Sequence, residues 1–187
     1  MQIILASASP RRRELMAMLT DSFQVCPAQG PEQVPPRLPA AQHARYLAVQ
    51  KAREVFSRYP ESLVIGADTI VLQGNVIFGK PRDDREARRM LETLSGQVHQ
   101  VKTGVCLKAP GWEASFTQTT QVEFYSLSSR EMDAYIRSGE PFDKAGGYGI
   151  QGRAGVFVKG IVGDYCNVVG FPVGEIRRIL LQKGICL

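Results

Sequence analysis

Leu63-Val64-Ile65-Gly66-Ala67-Asp68-Thr69-Ile70-Val71-Leu72-Gln73-Gly74-Asn75-Val76-Ile77-Phe78 is the stretch on which the fold class turns. Residues 63–72 read as a strand-like apolar run, interrupted only by Asp68-Thr69. Gly74-Asn75 then turns the chain back into Val76-Ile77-Phe78, which predicts a hairpin. A hairpin makes antiparallel neighbours, whereas the helical patterns on either side of this one in sequence belong to α/β architectures. The mixture predicts an α/β protein of mixed-sheet, α+β type and not a purely parallel sheet.

Upstream, Ala44, Leu47, Ala48, Ala52 and Val55 recur at helical spacing, predicting a helix over about residues 41–58 with Pro60 beyond its end. The loop before it holds Pro27, Pro31, Pro35, Pro36 and Pro39, too broken for regular structure, and residues 23–25 predict a short strand. Residues 3–6 read as a buried strand leading to a helix that Ser9 caps and Pro10 begins, with Leu15, Met18 and Leu19 as its apolar face. Downstream, Asp83 or Asp84 caps a helix with Ala87, Met90, Leu91 and Leu94 on one face, and Gly96 ends it. Val101, Thr103, Val105 and Leu107 alternate as a strand, and Pro110-Gly111 leads into a second long strand ending near Val122 and Phe124. Ser128 and Glu131 have capping-box spacing ahead of a helix carrying Met132, Tyr135 and Ile136. A glycine-rich stretch over 139–155 precedes a strand over 156–161, and the last helix begins near Pro172 and ends before Gly184. No repeat or low-complexity tail is present, and one domain over residues 1–187 is expected.

With 44% hydrophobic and 22% charged residues the chain is compositionally an ordinary globular protein, without an apolar run near the roughly 18 residues a bilayer crossing needs. Met1-Gln2-Ile3-Ile4-Leu5 lacks a basic n-region, so neither a signal peptide nor a membrane partner is expected, and the cytoplasm is the default location. Cys26, Cys106, Cys166 and Cys186 form no C-x-x-C pair and read as reduced thiols. With His43 and His99 the only histidines, a zinc site is disfavoured. The net charge of +5 favours an anionic partner without separating nucleic acid from a small phosphorylated molecule.

Two segments carry candidate chemistry. In Ser7-Ala8-Ser9-Pro10-Arg11-Arg12-Arg13, three arginines stand in the first turn of a helix, where the dipole already supplies about half a positive charge and unpaired N–H groups. That conflict disappears if a polyphosphate sits there. Successive helical residues point about 100° apart, so at most two of the arginines can face one ligand. The plainer alternative is a solvated basic face. In Gly66-Ala67-Asp68-Thr69 a carboxylate lies inside an apolar run, where it needs a cation, a cluster of donors or an exposing turn. A turn aspartate and a metal-binding or water-activating carboxylate are both open. Lys51 falls on the stripe of Leu47 and Val55, aimed inward or into a cleft unless it snorkels to solvent. Lys80 follows a short strand in the rigid Gly79-Lys80-Pro81 loop. With Arg11, Arg12 and Asp68 these lysines form a set suited to a triphosphate and its magnesium. Gly147-Tyr148-Gly149-Ile150-Gln151-Gly152 matches G-x-G-x-x-G, yet a strand and not a helix follows it, which rejects a dinucleotide fingerprint. A P-loop, a nucleophile elbow and an H-E-x-x-H motif are absent.

The order of these motifs resembles that of a known family. Ser7-Ala8-Ser9-Pro10-Arg11-Arg12, Lys51-Ala52, Gly66-Ala67-Asp68-Thr69 and Lys80-Pro81 come first, then Leu94-Ser95-Gly96 with His99 and Val101. Asp143-Lys144-Ala145-Gly146-Gly147-Tyr148-Gly149-Ile150-Gln151 and Gly163-Asp164-Tyr165 with Asn167-Val168-Val169-Gly170 complete a likeness to the Maf proteins over nearly the whole chain. The Asp143–Gln151 run is similar to that of the branch that hydrolyses dTTP and UTP. Cys166 stands where an aromatic residue is usual and Phe171 where leucine is common; neither touches the charged set.

The resemblance implies a mixed-sheet fold related to that of the inosine triphosphate pyrophosphatases, with two lobes around a deep cleft, often as a homodimer. It implies that Asp68 accepts a proton or holds metal and attacking water, and that Glu32 helps hold a divalent cation, magnesium or manganese. Ser7, Arg11, Arg12, Lys51 and Lys80 would grip the phosphates, and Arg11, Thr69 and Gln151 carry over as specificity positions. A glutamine amide accepts from pyrimidine N3–H and donates to a ring carbonyl, which suits uracil or thymine. A pocket discriminates one methyl by only about 1–3 kcal/mol, so UTP and dTTP are both expected substrates. The expected reaction is metal-dependent cleavage of a nucleoside triphosphate to monophosphate and pyrophosphate, a house-cleaning step on the nucleotide pool. Two other readings stand beside it. One is a non-hydrolysing nucleotide-binding regulator of cell division, a role linked to Maf proteins. The other is a nucleic-acid-binding module, which lacks interleaved aromatics and a recognisable motif, so no nucleic-acid partner is expected.

Overall fold

The computed structural model describes all 187 residues, Met1–Leu187, in two compact units. The first comprises Met1–Asp68, Thr103–Gln118 and Gly170–Leu187, and the second Thr69–Lys102 and Thr119–Val169. Seven strands form one sheet: β1 (Ile3–Leu5), β2 (Gln24–Val25), β3 (Leu63–Gln73), β4 (Val76–Phe78), β5 (Val98–Ala109), β6 (Trp112–Phe124) and β7 (Val158–Val162). Six helices accompany them: α1 (Pro10–Ala17), α2 (His43–Arg58), α3 (Asp84–Leu94), α4 (Ser129–Arg137), α5 (Tyr165–Val169) and α6 (Val173–Gln182). The strand order is β2-β1-β3-β5-β6-β7, with β4 on β3 off that path. β1 runs parallel to β2 and β3, whereas β3–β4 and β6–β7 are antiparallel, so the sheet is mixed as its hairpins require. In the Gly74-Asn75 hairpin Gln73 faces Val76 and Leu72 faces Ile77. β3 runs unbroken through Asp68-Thr69, which removes the turn-aspartate alternative. No helix is long and apolar enough to cross a membrane.

In the first unit, Ala48, Ala52 and Val55 of α2 pack with Ile4, Ala6, Val64 and Cys106 into a core. The helix lies directly on β3 at Gly66, where a Cβ would stand 2.5 Å from the Ala48 carbonyl oxygen and 2.9 Å from the Ala52 nitrogen. Only glycine permits that approach. Side chains alternate along a strand, so Asp68 shares the face of Gly66 that meets α2. On α2, Ala48, Lys51, Ala52 and Val55 stand at i, i+3, i+4 and i+7, which is one stripe. Packing α2 onto Gly66 therefore brings Lys51 to Asp68. At the start of α1, Pro10 occupies the first turn and the Arg12 N–H donates to the Ser9 hydroxyl at 3.4 Å. The apolar face expected at Leu15, Met18 and Leu19 is corrected to Leu15 and Met16, with Met18 67% exposed. The helix ends at Ala17, so Met18 caps it and no longer follows its face.

In the second unit, α3 is capped by Asp83, which accepts from the Glu86 N–H at 2.7 Å, and α4 by the reciprocal Ser128–Glu131 capping box. Their apolar faces join Val71, Phe78, Val101, Val122, Phe124, Tyr148 and Phe157 in a second core. The glycine-rich stretch is wound into 3-10 turns, Glu140–Asp143, Ala145–Gly147 and Arg153–Phe157, so β7 begins at Val158 and not at 156.

Candidate active site

Asp68 meets Lys51 as the packing of α2 dictates. The Lys51 ammonium donates to Asp68 Oδ1 at 2.6 Å and pairs with Glu32 Oε1 at 2.8 Å. The Lys51 and Asp68 side chains are 16% and 13% exposed and that of Glu32 is 60% exposed, so a nearly dry ion pair ends in a carboxylate that faces water. Burial pushes the Asp68 carboxyl above its ordinary range, against the opposing pull of Lys51 and Arg12.

Arg12 is fixed by backbone and side-chain acceptors of the same unit. Its Nε donates to the Gly170 carbonyl at 2.9 Å, and Nη1 donates to the Ala67 carbonyl at 2.9 Å and to the buried Ser7 hydroxyl at 3.3 Å. Because Ala67 precedes Asp68 on β3, this fork holds the guanidinium charge beside the carboxylate. Burial lowers the Arg12 guanidinium below its usual value; Asp68 resists that shift and Arg11 adds to it.

The loop that carries Glu32 is irregular, as its prolines require, yet it is anchored. Gln29 and Gly30 donate their N–H groups to the two Glu54 carboxylate oxygens at 2.7 and 2.9 Å. The Gln29 N–H is the larger cause holding the Glu54 carboxyl below its ordinary range. Glu54 stands one turn beyond Lys51 on α2, so the loop and the lysine hang from the same helix. Glu32, Gln50, Lys51 and Glu54 contribute to the lining of a pocket of about 280 Å³. The structure thus brings Ser7, Arg12, Glu32, Lys51 and Asp68 together in the first unit, with Arg11 half-buried beside Arg12 in α1. Thr69, Lys80 and Gln151 belong to the second unit. There Thr69 is half-buried in β3, Lys80 is exposed after β4, and Gln151 is exposed in the glycine-rich segment. The sequence assigned no role to Glu54 or, beyond its place in a motif, to Gly170. The first was marked only by its helical spacing from Lys51, and the second acts through a backbone carbonyl, which leaves no residue-type signal.

The acidic donors at this site are the carboxylates of Glu32 and Asp68, and the chain has no cluster of three or more His, Cys, Asp and Glu able to enclose a metal. Such a set fits a hard cation that completes its shell with water and phosphate oxygens, magnesium or manganese, and does not fit zinc. In the structure the Lys51 ammonium bridges the same carboxylates.

A family model described as Maf-like protein matches residues 2–183. The dTTP/UTP pyrophosphatase of Koribacter versatilis (strain Ellin345) is 47% identical over 185 residues, covering 99% of this chain and 96% of its own. That of Thermococcus kodakarensis (strain ATCC BAA-918 / JCM 12380 / KOD1) is 50% identical over 178 residues, covering 95% of this chain and 94% of its own. That of Bacillus pumilus (strain SAFR-032) is 44% identical over 184 residues, covering 98% and 97%. Among solved structures, the Staphylococcus aureus Ham1 protein aligns with a TM-score of 0.50 at 13% identity, covering 66% of this chain and 72% of that one. This last likeness is one of fold alone, and it bears out the mixed-sheet fold expected from the sequence.

Proposed function

The chain belongs to the Maf-like protein family, and we propose that it hydrolyses dTTP and UTP to the nucleoside monophosphate and pyrophosphate with the aid of a divalent metal. The observation that carries this reading is the Asp68 carboxylate, buried between Lys51 and Arg12 with its proton affinity raised by burial. A carboxylate shifted upward in this way is a better acceptor for the proton of an attacking water than an exposed one.

In this reading Asp68 orients water and takes its proton through the oxygen that Lys51 does not engage. Ser7, Arg11, Lys51 and Lys80 bind phosphate oxygens. Arg12 contributes a fixed positive field, because its fork is already directed at Ser7, Ala67 and Gly170. Glu32 would hold magnesium or manganese, which would supply charge neutralisation on the α-phosphate and the leaving pyrophosphate; in the alternative assignment Asp68 would join Glu32 on that metal and hold the attacking water there instead of taking its proton. Arg11, Thr69 and Gln151 select the base, Gln151 by accepting from N3–H and donating to a ring carbonyl. The protein acts in the cytoplasm as a homodimer.

A panel of nucleoside triphosphates assayed for monophosphate and pyrophosphate with each metal tests the reading, with UTP and dTTP expected to rank first. If 7-methyl-GTP were the best substrate, the pyrimidine assignment would be rejected. Tight UTP binding without turnover under any divalent metal would point to the regulator instead. Asp68→Asn is expected to lower kcat by about 10²–10⁴-fold in a folded protein. Full activity in that variant would remove Asp68 from the chemistry.

A further inference from the structure

Gln151 is exposed, yet the backbone beside it is gripped by one carboxylate. Glu140, at the start of the Glu140–Asp143 turn, accepts from the Arg153 N–H with both oxygens, at 3.0 and 3.3 Å, and pairs with Arg153 Nε at 3.6 Å. Its side chain is 26% exposed and lies so close under the chain that a Cβ at Gly152 would overlap Glu140 Oε2. Lys144 holds Glu140 in turn, donating from Nζ to the Glu140 carbonyl at 2.7 Å. The Gly152 N–H closes back on the Gly149 carbonyl at 3.1 Å. The segment is therefore tied on both sides of Gln151, while the Gln151 amide itself is left exposed.

We propose that Glu140 is a positioning residue for nucleobase recognition. By holding the Arg153 N–H beneath Gly152, it sets where the Gln151 amide stands and which edge of the base it meets. This rests on the reading of Gln151 as the base-selecting side chain. A charge-assisted bond from a carboxylate to a backbone N–H is stronger than a neutral one, which makes it a firm tether. Hydrogen bonds weaken steeply with misalignment, so a small backbone shift at 152–153 is enough to lose part of a two-point amide contact.

The test compares kcat and KM for UTP with those for its N3-methyl analogue, which lacks the N3–H that Gln151 would accept. In wild type UTP is expected to be favoured, and Gln151→Ala to abolish most of that preference. Glu140→Ala is expected to lower it about tenfold through KM for UTP, and Glu140→Gln, which keeps one acceptor, to restore it to within about threefold of wild type. The Glu140→Ala/Gln151→Ala double variant is expected to be no less selective than Gln151→Ala alone, because both changes act through one amide. If Glu140→Ala fails to fold, Gly152→Ala tests the same contact, since its methyl displaces the Glu140 carboxylate, and the same loss of preference is expected. A Glu140→Ala protein that loses activity on both nucleotides equally, with the preference intact, overturns the positioning role while leaving Gln151 in place. An intact preference in Gln151→Ala removes the base-selecting assignment and the positioning role with it.

Discussion

Asp68 and His99 are both buried polar side chains, 9% and 1% exposed, and the chain accommodates them in opposite ways. Asp68 faces charge: Lys51 at 2.6 Å and the nearby Arg12. His99 faces neutral aromatic surface, with the rings of Phe124 and Tyr148 edge-on at 4.9 and 5.3 Å and its Nε2 at 2.6 Å from the Tyr148 hydroxyl. Counting partners makes Tyr148 the donor, because the reverse arrangement would leave both the hydroxyl proton and the Nδ1 lone pair unused. His99 Nδ1 is buried without a partner, and burial alone lowers the imidazole to about 4. The ion pair keeps charges that a substrate can engage. The aromatic node keeps a shape, and its polarity is used up internally.

Removing Lys51 is the strongest way to break this contrast. In Lys51→Ala, Asp68 keeps its burial and loses its nearest cation, which is expected to cost about 3–5 kcal/mol near pH 8. As pH falls through the raised Asp68 value the carboxyl protonates, so the deficit relative to wild type is expected to shrink in acid. Denaturant titrations of both proteins across pH check this; a constant deficit would show that Lys51 acts by packing.

The histidine titrates with the opposite sense. Its folded value near 4 lies below the unfolded value of 6.5, so between the two the unfolded chain binds more protons. The His99 contribution to wild-type stability is therefore expected to fall by about 3 kcal/mol as pH drops from 6.5 to 4, and that loss to level off below. His99→Phe is expected to flatten that limb. Tyr148→Phe has a smaller effect: it leaves His99 Nε2 without its donor and is expected to cost about 1–2 kcal/mol by thermal or denaturant unfolding, with pyrophosphate release from UTP retained.

Much of this architecture is legible in local pattern. The Gly74-Asn75 hairpin, the caps at Ser9, Asp83 and Ser128 and the apolar stripe of α2 each follow from residues within one turn of each other. Asp68 is also legible as an anomaly, a charge inside an apolar run, but its place in an unbroken strand depends on α2 lying against Gly66. The supports of the site escape such reading. Gly170 meets Arg12 across 158 residues through a carbonyl, Glu54 holds the loop of Glu32 from another element, and Glu140 reaches Arg153 across 13 residues. Backbone acceptors and long-range contacts carry no spacing rule, so only the folded chain displays them.

The smallest expected effect decides what Asp68 is for. Its folded value lies above the unfolded one near 3.8, so the folded state holds the proton more tightly. The stability this gives is fully present below the unfolded value and is lost as pH rises through the folded value. Once ionised, the carboxylate therefore counts against folding even with Lys51 in contact. Asparagine keeps the shape and an oxygen for the Lys51 ammonium, which also retains Glu32 at 2.8 Å. Asp68→Asn is accordingly expected to leave stability at pH 7 unchanged or raised by about 1 kcal/mol, roughly 2–4 °C in Tm, while removing pyrophosphate release. A residue that the fold tolerates at a small cost and the reaction cannot spare is kept for chemistry. Should Tm instead drop by roughly 5 °C or more, Asp68 would be a structural partner of Lys51, and its burial would serve the same end as that of His99.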